Sequence, residues 1–198
     1  LAITANRPDG MSVIGIAREI SALLESTLNF PELNHKYNIH LLKGIKLCPE
    51  AIDSNCIYTI SCIDGVNGDK LSPKWLKDRI EKSGIKSINL LVDLTNYILL
   101  EQGQPLHAFD KEKLSNLIGK EVSPEDFSVR KAKDNESLVC LDGKKYELNE
   151  NITVITCCDK PVAIAGVIGG LDTSVSNTTS SIYLEGAVFN PVTIRKSS

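Results

Sequence analysis

The stretch from Val92 to Asp110, VDLTNYILLEQGQPLHAFD, leaves the backbone few choices. Asn89 just ahead of it is a good N-cap. Leu90, Leu91, Leu94, Ile98 and Leu99 recur at close to helical spacing, so the sequence predicts about three turns of helix with one apolar face turned to a core. Gly103 ends that helix, because a glycine past the last apolar turn takes the left-handed conformation that other residues resist. Pro105 cannot continue it and forces an extended segment. Pro105 to Asp110 therefore reads as a strand, with Leu106, Ala108 and Asp110 on one side and Pro105, His107 and Phe109 on the other. His107, at the joint, is the first candidate for chemistry.

Upstream of the joint the chain reads as mostly helical. Asn6 to Gly10 is turn chemistry, Ser12 is an N-cap, and Val13, Ile16, Ala17, Ile20, Leu23 and Leu24 form an apolar stripe over roughly four turns. Pro31 and Pro49 interrupt the next stretch, where His35 and His40 lie among polar residues and only Ile39 to Leu47 hints at a strand. Cys56 to Asp64, CIYTISCID, alternates β-branched residues and predicts a strand closed by GVNGD. Ser72 and Pro73 open a helix carrying Trp75, Leu76 and Ile80 as far as Gly84.

Beyond Asp110 the pattern changes to short strands separated by turns: Phe127 to Ala132, Leu138 to Leu141, Tyr146 to Leu148, Ile152 to Thr156 and Val162 to Ala165, with Asp142-Gly143 as a hairpin turn. Ala163 to Gly170, AIAGVIGG, sets glycines among apolar residues, as happens where backbone must approach another group closely. Ile182 to Val188 reads as a strand with Glu185 inside it, and a carboxylate there requires a partner or a solvent-filled pocket. Asn190-Pro191 starts a last helix. The result is a mixed α+β chain, helix-rich over 1–110 and β-rich over 111–198, expected to pack as one module of a longer protein.

Composition narrows the function classes. With 198 residues, 42% of them hydrophobic, the chain can bury a sizeable core. Its net charge of −3 gives no broad basic field, so any RNA contact must be local. No apolar run reaches the roughly eighteen residues of a membrane span, and no signal-peptide pattern opens the chain. The six cysteines lack C-x-x-C spacing and read as small buried hydrophobes in a reducing cytoplasm, with Cys157 and Cys158 on opposite faces of a strand. GVIGG lacks the Lys-Ser/Thr of a phosphate-binding loop. Taken singly, a lone histidine is usually a satisfied core or surface residue, and a lone glutamate an edge-strand charge.

The combination is more specific. ITANRPDGMSVIGIAREI, VDLTNYILLEQGQPLHAFD, LVCLDGKKYELNENITVI, AIAGVIGG and IYLEGAVFNP, in that order, resemble the beta subunits of bacterial phenylalanyl-tRNA synthetases over nearly the whole chain. The region resembled is the editing module, which hydrolyses tyrosine wrongly esterified to the phenylalanine tRNA. The resemblance implies a mixed α/β fold with a β-sandwich of unusual topology flanked by helices. It also implies tRNA(Phe) as partner and an alpha subunit completing an α2β2 enzyme. ATP and magnesium would serve only the synthetic site elsewhere in that enzyme, and no cofactor or metal is expected in this segment, itself expected to be monomeric.

Residue by residue, the resemblance assigns Thr95, Asn96 and His107 to the ester and the terminal ribose, orienting a water, and Gly169, Gly170 and Glu185 to the amino-acid slot. The family places a further threonine and alanine of the pocket beyond Ser198. A site that hydrogen-bonds the tyrosine hydroxyl rejects the analogue lacking it by on the order of 10⁴ to 10⁵, because its polar groups would be left unpaired. Glu185 is the expected acceptor, and His107 is either general base or positioning group. Two other classes stay open: a non-catalytic module that guides tRNA and buttresses subunit contacts, and a freestanding trans-editing hydrolase.

Overall fold

The computed structural model describes residues 2–4, 6–30, 45–46 and 56–198. His35, His40 and most of the strand hinted at between Ile39 and Leu47 lie outside them. The chain forms two compact units, one from residues 1–40 and 71–106, the other from 41–70 and 107–198. The boundary differs from the helix-rich and β-rich halves expected from the sequence, because the strand at Ile57 pairs with a strand near the C-terminus rather than with its sequence neighbours.

The first unit is helical. Helix α1 spans Val13–Leu23, and the Ser12 hydroxyl accepts from the Gly15 amide at 3.1 Å as its cap. Its expected apolar stripe is largely open, with Val13, Ile20 and Leu23 all exposed. In the same unit lie α2 (Lys74–Lys82) and α3 (Leu90–Gln102). Leu76 and Ile80 of α2 are fully buried. Ser72 does not cap α2; its hydroxyl donates to Asp93 instead, at 2.5 Å. Helix α3 begins and ends as the sequence predicts: the Asn89 side chain accepts from the Val92 amide, and Gly103 takes φ +77° in the left-handed region.

The expected apolar face of α3 is corrected. Leu91 is buried but Leu94 is 41% exposed, while Asp93 between them is completely buried. Its carboxylate accepts from the hydroxyls of Ser72 and Ser87 and from the Ile88 amide at 2.9 Å, so three donors replace the water it has lost.

The second unit is a β-sandwich with helices. Its strands, in chain order, are β1 (Ile45–Lys46), β2 (Ile57–Asp64), β3 (Leu106–Asp110), β4 (Phe127–Lys131), β5 (Ser137–Val139), β6 (Lys145–Glu147), β7 (Thr153–Cys157), β8 (Lys160–Ile164), β9 (Ile168–Gly169) and β10 (Ser181–Val188). One sheet has the order β1-β2-β10-β3, the other β4-β7-β8-β9. Tyr58, Ile60, Phe109 and Tyr183 from the first sheet share one core with Phe127, Val129, Ile155, Cys157, Val162 and Ala163 from the second. The β5-β6 hairpin helps cover the outer face of the second sheet, where Val154 and Ile164 meet Cys140 and Leu138. At about 1.5 to 3 kcal/mol for each large apolar side chain removed from water, this two-layered core dominates the unit's stability.

Two helices complete it. Helix α4 (Lys111–Ile118) follows β3 directly, where the sequence reading placed no element; Asp110 caps it by accepting from the Lys113 amide, and Gly119 closes it at φ +81°. Helix α5 (Pro191–Ser197) begins at the Asn190 cap and packs on β7. Cys157 is buried at the end of β7, whereas Cys158 sits exposed in the following turn at φ +47° instead of opposing it on the strand.

Candidate functional site

The register of the sandwich determines what its inner layer contains. In β10, Tyr183 pairs with Cys62 and Glu185 with Ile60, so the alternation that turns Tyr183 and Ile60 into the core turns Glu185 the same way. Glu185 is only 7% exposed, and its Oε2 is buried with no hydrogen-bond partner among the described residues. Burial in this apolar layer penalises the charged carboxylate and pushes its pKa up to about 8, so Glu185 is mostly protonated at neutral pH.

His107 enters the same layer from the neighbouring strand. In β3 it sits two residues before the fully buried Phe109 and therefore on the same face. The two rings meet edge to face with centroids 4.5 Å apart. Its Nε2 is buried and also lacks a hydrogen-bond partner among the described residues. Desolvation lowers its pKa to about 4, so the imidazole is neutral at physiological pH.

Gly169 forms the opposing surface. It belongs to a row that runs across the second sheet through Val129, Ile155 and Ala163, an apolar wall broken only at the glycine. A Cβ on Gly169 would stand 2.4 Å from His107 Cε1 and 2.6 Å from Nε2, so the imidazole occupies the space that any side chain there would fill. Gly170 turns elsewhere. Its amide donates to the Val162 carbonyl at 2.9 Å, and a Cβ would meet that carbonyl at 2.6 Å and Leu138 at 3.3 Å. It borders a cavity of about 150 Å³ shared with Leu138, Lys160 and Thr173.

Of the residues singled out in the sequence, the structure thus places His107, Gly169 and Glu185 on the inner layer of the sandwich, and Gly170 against β8 and the β5-β6 hairpin. Thr95 and Asn96 belong to α3 of the first unit; both are half-buried, and the Thr95 hydroxyl donates back to the Val92 carbonyl at 2.7 Å. The sequence reading overlooked Phe109 as the brace of the imidazole, although the alternation that put it beside His107 was visible. Among the described residues no group of three His, Cys, Asp or Glu side chains is placed to hold a metal ion, and no helix is long and apolar enough to cross a membrane.

Glu185 Oε2 and His107 Nε2 thus lie buried in one apolar layer, each without a hydrogen-bond partner among the described residues. The chain belongs to the B3/4 domain family, which matches residues 54–198. Over all 198 residues it is 95% identical to the phenylalanine--tRNA ligase beta subunit of Prochlorococcus marinus strain MIT 9312. It is 76% identical to the subunit of P. marinus subsp. pastoris and 46% identical to that of Synechococcus sp. strain CC9902. The resemblance read from the sequence is thereby borne out, and the chain spans 24% of the length of each of these relatives. An N-terminal fragment of the phenylalanyl-tRNA synthetase beta subunit from Pyrococcus horikoshii aligns over 95% of this chain and 54% of its own, with a TM-score of 0.42 and 16% identity.

Proposed function

We propose that this module hydrolyses tyrosine esterified to the phenylalanine tRNA, as the proofreading part of a phenylalanine-tRNA ligase. The observation that carries the reading is the pair of buried, unpartnered groups, Glu185 Oε2 and His107 Nε2. Native proteins rarely leave such atoms unsatisfied, since each costs about 1 to 3 kcal/mol, so a site that keeps two is suited to a ligand that satisfies them. A protonated Glu185 offers the tyrosine hydroxyl a carbonyl oxygen to donate to and an O–H to accept from. Phenylalanine offers neither and would leave both unpaired.

In the reaction, water adds to the ester carbonyl, the bond to the terminal ribose oxygen breaks, and tyrosine leaves with a free tRNA end. A neutral His107 with an open Nε2 can accept a hydrogen bond from that water and hold it in line. With its pKa lowered to about 4, the imidazole is a weak base at neutral pH, which favours the positioning role over general-base catalysis. Gly169 supplies the gap in which the imidazole sits. For Thr95, Asn96 and Gly170 the proposal rests on the family resemblance alone.

The test is deacylation of tyrosyl-tRNA and phenylalanyl-tRNA, measured side by side with this chain and with an intact alpha-beta synthetase carrying the same residues. Glu185→Ala should erase the preference for the tyrosyl ester while hydrolysis persists. His107→Ala should slow tyrosyl-tRNA hydrolysis by on the order of 10² or more without creating activity on phenylalanyl-tRNA. Aminoacylation by the synthetase should survive both changes. If both variants keep wild-type rates and selectivity, the assignment fails.

A further inference from the structure

The first unit carries a surface that the hydrolytic site does not use. Between Lys74 and Lys86 the sequence KWLKDRIEKSGIK holds five basic and two acidic residues, a local excess of +3 in a chain whose net charge is −3. Trp75, the only tryptophan, is 53% exposed although it lies on an ordered helix. Arg79, one turn further along α2, stands over it: the guanidinium carbon is 5.7 Å from the Trp75 ring centroid and 5.8 Å from that of Tyr97 on α3. The two aromatic rings meet edge to face at 5.6 Å, and Arg79 Nη1 donates to the Tyr97 hydroxyl at 2.8 Å, which in turn donates to Glu101 at 2.5 Å. The guanidinium is thus held by its neighbours in a fixed orientation.

Helical spacing puts Lys82 on the Trp75 and Arg79 side of α2. Lys74 begins the i,i+4 row that ends at Lys82 and pairs with Asp78 between them, an exposed pair of little strength, readily exchanged for a stronger anion. A solvent-facing indole, a fixed guanidinium and flexible ammonium groups offer a stacking surface and phosphate partners together.

We propose that this face of α2 and α3 is a docking surface for single-stranded RNA, with a base stacked at Trp75 and Arg79 and the backbone phosphates led along Lys74 and Lys82. An acidic peptide would satisfy the cations but leave the aromatic surface without a purpose. A duplex would present phosphates but no free base face. The proposal adds to the hydrolytic reading a place for RNA outside the ester-cleaving residues, and it depends on that reading only for which RNA is bound.

Because Trp75 is the single tryptophan, intrinsic fluorescence of the chain reports on the site directly. Titration with a single-stranded oligouridylate of about twelve nucleotides should quench that fluorescence. Three phosphate contacts, at Arg79, Lys74 and Lys82, predict a slope of log K against log salt of about −2, or a loss of roughly twentyfold between 50 and 200 mM salt. Lys74→Gln with Lys82→Gln, which leaves the Trp75, Arg79 and Tyr97 group intact, should weaken binding about tenfold and flatten the slope by about 1.4. Lys144→Gln with Lys145→Gln makes the same charge change on the β5-β6 hairpin and should alter affinity less than twofold.

Since the oligonucleotide carries no ester, its binding is independent of Glu185 and His107, and a failed deacylation assay would leave this result standing. The proposal is overturned if the oligonucleotide does not quench Trp75, if the hairpin variant weakens binding as much as the helix variant, or if polyglutamate or duplex RNA of equal charge binds as tightly as the single strand.

Discussion

Raising the pH from 6.5 to 8 should destabilise this protein through one side chain. Burial raises the Glu185 pKa from its ordinary 4.5 to about 8, so the folded state holds that proton more tightly than the unfolded chain does. Such a group contributes its full stability below 4.5 and loses it as pH climbs to the folded value. His107 acts in the opposite sense: its pKa falls from 6.5 to about 4, so its contribution is complete above 6.5 and is lost as pH falls toward 4. Between 4.5 and 6.5 the two slopes cancel, and above 6.5 the Glu185 slope is left unopposed. At about 1.4 kcal/mol per pH unit, the interval from 6.5 to 8 removes about 2 kcal/mol, a sizeable part of the 5 to 15 kcal/mol that typically separates folded from unfolded. Urea unfolding followed by far-ultraviolet circular dichroism, in half-unit pH steps, measures it. Glu185→Gln keeps the size and hydrogen-bonding capacity of the protonated acid but has no proton to lose, so it should lack the slope and exceed the wild type by about 2 kcal/mol at pH 8 relative to pH 6.5. If variant and wild type run parallel over the interval, Glu185 titrates alike in both states and the neutral-carboxyl argument is wrong.

Gly169→Ala places a methyl group against an imidazole braced by Phe109, and should destabilise by about 1 to 3 kcal/mol in denaturant titrations while displacing His107 and depressing deacylation. Asp93→Ala strands the Ser72 and Ser87 hydroxyls and the Ile88 amide beneath α3, for an expected loss of about 3 kcal/mol by the same assay; a loss under about 0.5 kcal/mol would contradict the role of these three hydrogen bonds. Lowering the pH from 7 to 5 should leave the single-turnover rate of tyrosyl-tRNA hydrolysis flat as far as His107 is concerned, because it stays neutral down to about 4. A roughly thirtyfold fall would mean that it titrates near 6.5 instead.

What was legible in the sequence was what local chemistry decides. Asn89 and Gly103 bound α3 because a capping amide and a left-handed glycine act within one turn of themselves. The exposure of Leu94 and the burial of Asp93 were not legible, since a periodic pattern counts apolar residues and cannot show that donors at Ser72, Ser87 and Ile88 converge on one carboxylate. Helix α4 escaped for a different reason. Asp110 ends a strand and caps a helix at once, and the turn signal usually expected between two elements is absent. At the site, strand alternation alone put His107 beside Phe109, and the glycines of AIAGVIGG announced a close approach. That the approaching group is the His107 imidazole at Gly169, and a carbonyl at Gly170, depends on which strands pair across the sandwich.

In the proposed reading, the electrostatics of the inner layer bear on recognition and chemistry together. A charged Glu185 would bind the tyrosine hydroxyl more strongly than a neutral acid, but holding a charge in this layer without a counterion is costly, and among the described residues no cation stands beside it: its raised pKa comes from burial. The neutral acid gives up some strength in a single hydrogen bond and gains a second, since it can both donate and accept. The same apolar surroundings that keep Glu185 protonated keep His107 unprotonated, and thereby weaken it as a base. One layer therefore cannot favour a discriminating neutral carboxyl and a strongly basic imidazole together. If discrimination is what the layer provides, the proton of the attacking water has to be taken up elsewhere, and the hydroxyl of the substrate's own terminal ribose is a group that every substrate brings with it.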